Sequence, residues 1–202
     1  MLSAPESGSH GMDVDYHLQG ANKSFHANKW MLTDKRASLK SRLRFFEGVV
    51  TPVVIFAAAH RAVYVDDLRK MDVAHRKLLR QVVGAPSGTD WSSEWHEILH
   101  TWNERVRKVC EDSCILSWSQ QCLRQYFRFA SYIASLPAQR WLSRVVGWHP
   151  SGAKSQGRPR QTWDHKLVAF CNNYALGDWL LAAQDQKAWL SLTDDFIDFT
   201  SV

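Results

Sequence analysis

The most regular alternation of apolar and charged residues in the chain runs from Asp66 to Gly84. Its apolar positions recur at helical spacing and share one face; they are Leu68, Met71, Leu78, Leu79 and Val82. The opposite face carries Arg69, Arg76 and Arg80 within about 40° of one another, with Lys70 and Lys77 beside them. Asp66 is a candidate N-cap, and Gly84 is placed to end the helix in a left-handed conformation. The pattern predicts an amphipathic helix whose basic side is either simply solvated or offered to an anion.

Two further helices are predicted before this one. The first carries its apolar face from Val14 to Leu32, and the second has Ser38 as its N-cap. Pro52 should kink or split the second helix, because proline lacks the amide proton that a helix interior needs. A cluster of cations surrounds the start of this helix, where the helix dipole disfavours positive charge. The cluster comprises Lys35, Arg36, Lys40, Arg42 and Arg44, and its position indicates an external anion.

Apolar spacing after Gly84 predicts further helices and no strand pair. They lie near 95–109, 118–133 and 141–146, after a candidate cap at Thr162, and after another at Asp178. The predicted fold is all-α, with a three-helix bundle followed by a second helical subdomain. We predict a flexible tail over 1–11, a basic bundle over 12–84, a helical subdomain over 85–150, and a loop with C-terminal helices and an acidic tail over 151–202.

The positive charge is unevenly distributed along the 202 residues. The whole chain has a formal net charge of +5, whereas residues 23–80 carry thirteen Lys and Arg against five Asp and Glu, a balance of +8. A field concentrated in one segment favours a polyanion such as nucleic acid over a small acidic substrate. The ten tryptophans recur mainly within helical patterns, which predicts that most of them are core residues.

The cysteine spacing and the hydropathy of the chain indicate in which cellular compartment the protein is expected. Cys110, Cys114, Cys122 and Cys171 lack the spacing of a secreted disulfide framework, which favours a reduced, intracellular protein in the cytoplasm or nucleus. The longest nearly apolar run, Val49 to Ala59, is far shorter than the ~20 residues that span a bilayer. We therefore predict no membrane association.

Tyr64-Val-Asp-Asp67 matches the Tyr-x-Asp-Asp box that carries metal-binding aspartates in reverse transcriptases. That chemistry needs adjacent carboxylates on a tight hairpin and a third aspartate from another strand, which together hold two Mg²⁺ ions. Here the box leads directly into a charged segment of helical period. We therefore interpret the two aspartates as residues of a helix N-terminus, where the dipole favours negative charge.

His96-Glu-Ile-Leu-His100 matches the H-E-x-x-H pattern of zinc hydrolases. On a helix, the two histidines are one turn apart and can bind Zn²⁺, with Glu97 as the general base. The candidate third ligands, Cys110, Cys114 and two glutamates, follow on the same predicted helix, which carries them away from the histidine pair. A zinc hydrolase is thus the least favoured hypothesis, and we predict neither a metal site nor a cofactor.

Two stretches taken in order resemble the region after the polymerase palm in non-LTR (LINE-type) retrotransposon reverse transcriptases. Ser38 to Pro52 is similar to a helix that ends near Leu-Val-x-Pro, and Asp67 to Gly84 is similar to Leu-Arg-Arg-Leu-Asp-x-x-x-Arg-Arg-x-Leu-Arg followed by Gly. Gly157-Arg158-Pro159-Arg160-x-x-Trp163, followed by Ala183-x-Asp185-x-x-x-Trp189, resembles the tail of such polyproteins. The resemblance implies a helical thumb and C-terminal region.

The same comparison implies which activity to expect. The fingers and palm of the family, with their catalytic aspartates, have no counterpart here, so the resemblance implies a truncated product without polymerase activity. It also implies contacts with the backbone of RNA or an RNA–DNA duplex. Besides the basic residues above, Arg158 and Arg160 are candidate contacts. The alternative is a helical protein-interaction module anchored by exposed tryptophans.

Overall fold

The computed structural model describes residues 9–56, 60–85, 89, 92, 94–146 and 162–201, apart from the side chains of 9–12 and 201. Within these ranges the regular structure is helical and no strand occurs. The predicted all-α class is therefore confirmed. None of the described helices is both long enough and apolar enough to cross a membrane.

The helices follow one another in chain order with short connections. The first five are α1 (Ser9–Ala27), α2 (Lys29–Leu32), α3 (Leu39–Val49), α4 (Thr51–Ile55) and α5 (Val65–Val83). After them come α6 (Trp95–Asp112), α7 (Trp118–Ser135), α8 (Trp141–Val146), α9 (His165–Asn173), α10 (Trp179–Ala182), α11 (Gln186–Ser191) and α12 (Thr193–Ser201).

Several predicted helix ends are confirmed. The Ser38 hydroxyl oxygen accepts a hydrogen bond of 3.1 Å from the amide of Ser41, as an N-cap does. Pro52 lies in the first turn of α4, which begins two residues after α3 ends, so the predicted helix is split there. Gly84 has a φ of +79° and its amide donates to the carbonyl of Arg80 at 2.9 Å. Glycine adopts this left-handed conformation without steric cost.

Two predicted caps are wrong and a third is confirmed. Helix α5 begins at Val65, so Asp66 lies within its first turn and is not the N-cap. Helix α9 begins at His165 and has Asp164 at its N-cap position, because Thr162 is part of a turn that precedes the helix. The carboxylate of Asp178 does cap α10, accepting from the amide of Leu180 at 3.0 Å.

The chain divides into two compact units. The first comprises Met1–Phe56 and Asp66–Ser119, and the second comprises Ala57–Val65 and Gln120–Val202. Helices α1 to α4, nearly all of α5 and the whole of α6 thus belong to the first unit, together with the first two residues of α7. The subdomain boundaries inferred from sequence stay a prediction.

The core of the first unit is built from the apolar faces of its helices. Phe25, Phe46 and Trp118 are fully buried there. The indole Nε1 of Trp118 donates a 3.0 Å hydrogen bond to the buried hydroxyl of Thr51. Other buried side chains from the predicted faces are Val14, Ala21, Leu32, Leu43, Val50, Val54, Met71, Leu78, Leu79 and Val82. Helical periodicity therefore located this core correctly.

The core of the second unit is a stack of aromatic rings. Phe127 of α7 lies against Trp189 of α11 with ring centroids 4.3 Å apart, and against Phe196 of α12 with centroids 4.6 Å apart. The Trp189 Nε1 donates to the backbone carbonyl of Phe127 at 3.0 Å, so its only polar atom is satisfied. The acidic C-terminal segment is consequently a packed helix, because Phe196 and Ile197 are buried beneath its aspartates.

Candidate nucleic-acid interface

Helix α5 has the two-sided character that its sequence predicted. Its buried side chains are Met71, His75, Leu78, Leu79, Val82 and Val83. Arg69, Lys70, Arg76 and Lys77 are exposed. Since burial of the apolar face holds the helix in place, the exposed cations are presented on a rigid support. We call these four residues the α5 cations.

Two of the α5 cations have carboxylate partners. Arg69 Nη1 lies 3.7 Å from Asp66 Oδ1 one turn earlier, and Lys70 Nζ lies 3.6 Å from Asp15 Oδ1 on α1. Both pairs are solvent-exposed, with side-chain exposures between 48% and 89%. Exposed ion pairs contribute little free energy and are screened by salt, so a phosphate can replace either carboxylate at small cost.

Arg80 does not share the environment of the α5 cations. Its Nη1 donates a 2.6 Å hydrogen bond to the side-chain carbonyl oxygen of Asn103 on α6. Burial, together with the positive charge of Arg76, lowers the pKa of the Arg80 guanidinium. Sequence periodicity placed Arg80 opposite the core, but α6 packs beside that part of α5. Arg80 therefore links two helices.

Arg42 also has an internal partner. Its Nη1 donates to the carbonyl oxygen of Val82, at the C-terminal end of α5. The last carbonyls of a helix lack partners within the helix and carry partial negative charge, which a guanidinium satisfies well. Arg105 of α6 makes a similar 3.0 Å bond to the carbonyl of Ala85 just beyond that end. These arginines hold the end of the basic helix.

The remaining cations near α3 are exposed. Lys35 and Arg36 lie in the turn before the helix, where the amide of Arg36 donates to the Asp34 carboxylate at 2.9 Å. Lys40 and Arg44 project from α3 itself, whose first turn contains no acidic residue to offset them. These four residues, Lys35, Arg36, Lys40 and Arg44, are termed the α3 cations. Arg158 and Arg160 lie outside the described residues.

The Tyr64–Asp67 box starts a helix. Asp66 and Asp67 occupy the first turn of α5, where the positive end of the helix dipole stabilises carboxylates. No strand occurs anywhere in the part of the chain that the structure describes, so the hairpin that a polymerase box requires is not found there. The structure thus supports the helix-terminus interpretation of these aspartates.

His96 and His100 both lie in the first two turns of α6 and are exposed. Among the described residues, no group of three or more His, Cys, Asp or Glu side chains is arranged to hold a metal ion. Glu104, which follows one turn later, pairs with Arg107 at 2.7 Å, and this contact lowers the pKa of its carboxyl group. Arg107 also binds Glu111 at 2.7 Å, so two carboxylates compensate this cation.

Asp72 and His75 were not singled out from the sequence. The Asp72 carboxylate accepts from the amide of Ser119 at 3.0 Å and from its hydroxyl at 2.7 Å, and so caps the start of α7. The imidazole of His75 is stacked on Trp118 at 4.8 Å and on Phe46 at 5.8 Å. His75 follows Met71 by four residues and precedes Leu78 by three, so its position on the apolar stripe is the signal that could have indicated its burial.

The buried environment sets the charge of His75. Desolvation, assisted by the neighbouring charge of Arg76, lowers its pKa from 6.5 to about 3. The ring is therefore neutral at physiological pH, and its buried Nε2 has no hydrogen-bond partner among the residues that the structure describes. His75 stabilises the underside of α5 as an aromatic core residue.

Comparisons of the chain with protein-family models, with curated proteins and with solved structures each found no match.

Proposed function

We propose that the protein binds the sugar–phosphate backbone of nucleic acid through the α5 cations, with the α3 cations contributing to the same affinity. The proposal further assigns the chain to the thumb and C-terminal region of a non-LTR reverse-transcriptase-like protein that lacks polymerase activity. By that resemblance the expected ligand is RNA or an RNA–DNA duplex. Phosphate contacts from exposed lysine and arginine residues give affinity with little dependence on base sequence.

The observation that carries the proposal is the arrangement of α5. Arg76 and Lys77 are exposed on a helix whose opposite face is buried, and the exposed ion pairs of Arg69 and Lys70 exchange readily. Arg42 supports the helix by donating to the backbone carbonyl oxygen of Val82 on α5, and Arg80 does so by donating to the side-chain oxygen of Asn103 on α6. The proposal therefore separates cations that contact the ligand from arginines that position the helix.

Fluorescence anisotropy with labelled RNA–DNA duplexes of two unrelated sequences tests this function. The two duplexes should bind with similar affinity, and the affinity should fall by orders of magnitude between about 50 mM and about 200 mM salt. Absence of binding at the lower salt concentration contradicts the proposal, as does an affinity that salt leaves unchanged. Incubation with primed template, Mg²⁺ and nucleotides should give no template-dependent incorporation.

The second candidate function is protein interaction through exposed tryptophans. Trp30 is 71% exposed, Trp95 is 60% exposed and Trp141 is 75% exposed, although most tryptophans were predicted to be core residues. Tryptophan is enriched among the residues that dominate protein interfaces. If the duplex titrations fail, replacement of these three residues by alanine should abolish association with a protein partner without changing the helical circular dichroism.

A further inference from the structure

A cavity of about 390 Å³ lies within the second unit. Aliphatic side chains of α7 and α8 form much of its wall, and the remaining wall comes from His60, Phe129, Thr162, Trp163 and Asp164. Its volume falls within the range of about 300–1,000 Å³ that is usual for small-molecule sites. None of these residues was assigned a function by the sequence, and the nucleic-acid proposal does not use them.

Two of the aromatic walls meet at a right angle. The ring centroids of Phe129 and Trp163 are 5.8 Å apart and their planes are inclined by 86°. The imidazole of His60 lies against Phe129 with centroids 4.5 Å apart. In this edge-to-face contact the two rings touch each other, so a ligand meets only the ring surfaces that border the cavity. The faces of aromatic rings carry partial negative charge and attract a cation there.

Asp164 adds a full negative charge to the same cavity. Its Oδ2 accepts a 3.1 Å hydrogen bond from the indole Nε1 of Trp179, which fixes the carboxylate. It forms no ion pair with any residue in the described ranges. The pKa of the Tyr126 hydroxyl is raised by burial and further by the charge of Asp164, which shows that this charge acts on a poorly solvated region.

We propose that this cavity binds a small organic cation of the substituted-ammonium class. The Asp164 carboxylate and the aromatic part of the wall attract positive charge, and the aliphatic walls accept the alkyl groups that surround the nitrogen. A phosphate or carboxylate ligand is disfavoured, because Asp164 would repel it. The inference stands independently of nucleic-acid binding, which concerns cations of the first unit.

Isothermal titration with choline and with its uncharged isostere, the alcohol in which tert-butyl replaces trimethylammonium, tests the inference on the unmodified protein. The two ligands have nearly the same shape, so their difference in affinity reports the charge. Choline should bind about tenfold more tightly than the alcohol, as expected for a cation held by aromatic faces and a carboxylate. Equal affinities, or no binding of choline at millimolar concentration, overturn the inference.

Asp164→Asn provides the matched variant. Asparagine keeps an oxygen acceptor for the Trp179 indole, and the Asp164 side chain makes no capping hydrogen bond that the substitution could remove, so α9 should remain folded. Choline affinity should fall about tenfold in this variant while the affinity for the alcohol stays the same. Asp198→Asn removes the same charge from an exposed position on α12 of the same unit and should change neither affinity. An equal loss in both variants would show a non-specific charge effect and overturn the assignment to Asp164.

Discussion

The indole Nε1 of Trp118 donates a 3.0 Å hydrogen bond to the Thr51 hydroxyl oxygen, and that hydroxyl donates to the Glu47 carboxylate at 3.0 Å. Trp118 is fully buried and Thr51 is 1% exposed, so neither polar atom can turn to water instead. The threonine is therefore the shared partner of a tryptophan on α7 and a glutamate on α3. This chain of hydrogen bonds lies within the core of the first unit.

Replacement of Thr51 by valine should lower the free energy of unfolding by about 1–3 kcal/mol, because the Trp118 indole proton then lacks an acceptor in the core. Valine matches threonine in shape, so the loss reports the hydroxyl and not a cavity. Thr51→Ser keeps the hydroxyl and loses one buried methyl group, so its cost of about 1 kcal/mol measures the methyl group alone. Urea denaturation compares both variants with the wild type; a valine variant as stable as the wild type contradicts the importance of this hydrogen bond.

Stability should depend on pH through His75. Its folded-state pKa is lowered to about 3, below the unfolded value of 6.5, so the stability contributed by the neutral ring is complete above 6.5 and is lost as pH falls from there toward 3. Between about pH 8 and about pH 5 the loss should reach about 2 kcal/mol. Denaturant midpoints at the two pH values measure it.

The control for this pH dependence is His75→Leu, which cannot take up a proton. All other histidines and carboxylates remain in this variant, so their titration contributes equally to both proteins. The wild type should lose about 2 kcal/mol more than the variant over the same pH interval. Identical pH profiles for the two proteins would show that His75 is not buried in its neutral form.

Ala175→Gly should stabilise the second unit. Ala175 follows the C-cap residue of α9 and has a φ of 53°. The amide of Leu176 closes the helix end by donating a 2.9 Å hydrogen bond to the backbone carbonyl oxygen of Cys171. A left-handed conformation strains an L-residue with a β-carbon, whereas glycine adopts it freely, so we expect a gain of about 0.5–1 kcal/mol. Thermal unfolding followed by circular dichroism measures the change.

Gly177→Ala is the converse substitution two residues later. Gly177 has a φ of 75°, and a β-carbon there meets no atom within 4 Å, so the cost should arise from backbone conformation and not from a clash. The midpoint of unfolding should fall in this variant and rise in Ala175→Gly. A change of the same sign in both variants contradicts the left-handed conformations assigned to this turn.

Local patterns predicted most of the helices because they depend on nearby residues alone. The Ser38 cap and the left-handed Gly84 each rest on backbone chemistry within one turn, and both are present. Trp95 and Trp141 fall in predicted helical patterns but are exposed, whereas Trp118 and Trp179, each likewise the first residue of its helix, are buried. Periodicity assigns a direction to a side chain, whereas burial also depends on where the neighbouring helix ends.

The candidate site was predicted less completely, because tertiary partners decide which cations remain available. Arg80 bonds to a residue 23 positions away and Arg42 to a residue 40 positions away. Neither contact follows from charge or spacing within one helix. Asp72 likewise appeared as one more charge in a basic segment, although it caps a helix 47 residues further along the chain.

The central claim concerns the α5 cations, so the decisive variant replaces Arg69, Arg76 and Lys77 with glutamine. All three side chains are exposed, and glutamine preserves helix propensity, so the unfolding midpoint should barely change. Arg80 is retained because its loss would also remove the hydrogen bond to Asn103. The matched control replaces three exposed cations of the second unit, Arg128, Arg140 and Lys187, and so removes the same net charge.

The most direct measurement is the slope of log affinity against log salt concentration for an RNA–DNA duplex, determined for the wild type and both triple variants. Each lost phosphate contact lowers the magnitude of the slope by about 0.7–0.9, so the α5 variant should show a slope smaller by about 2–3. The control variant should keep the wild-type slope. If the α5 variant keeps that slope and affinity, or if both variants lose equally, the α5 cations are only solvated and nucleic-acid binding by this helix is contradicted.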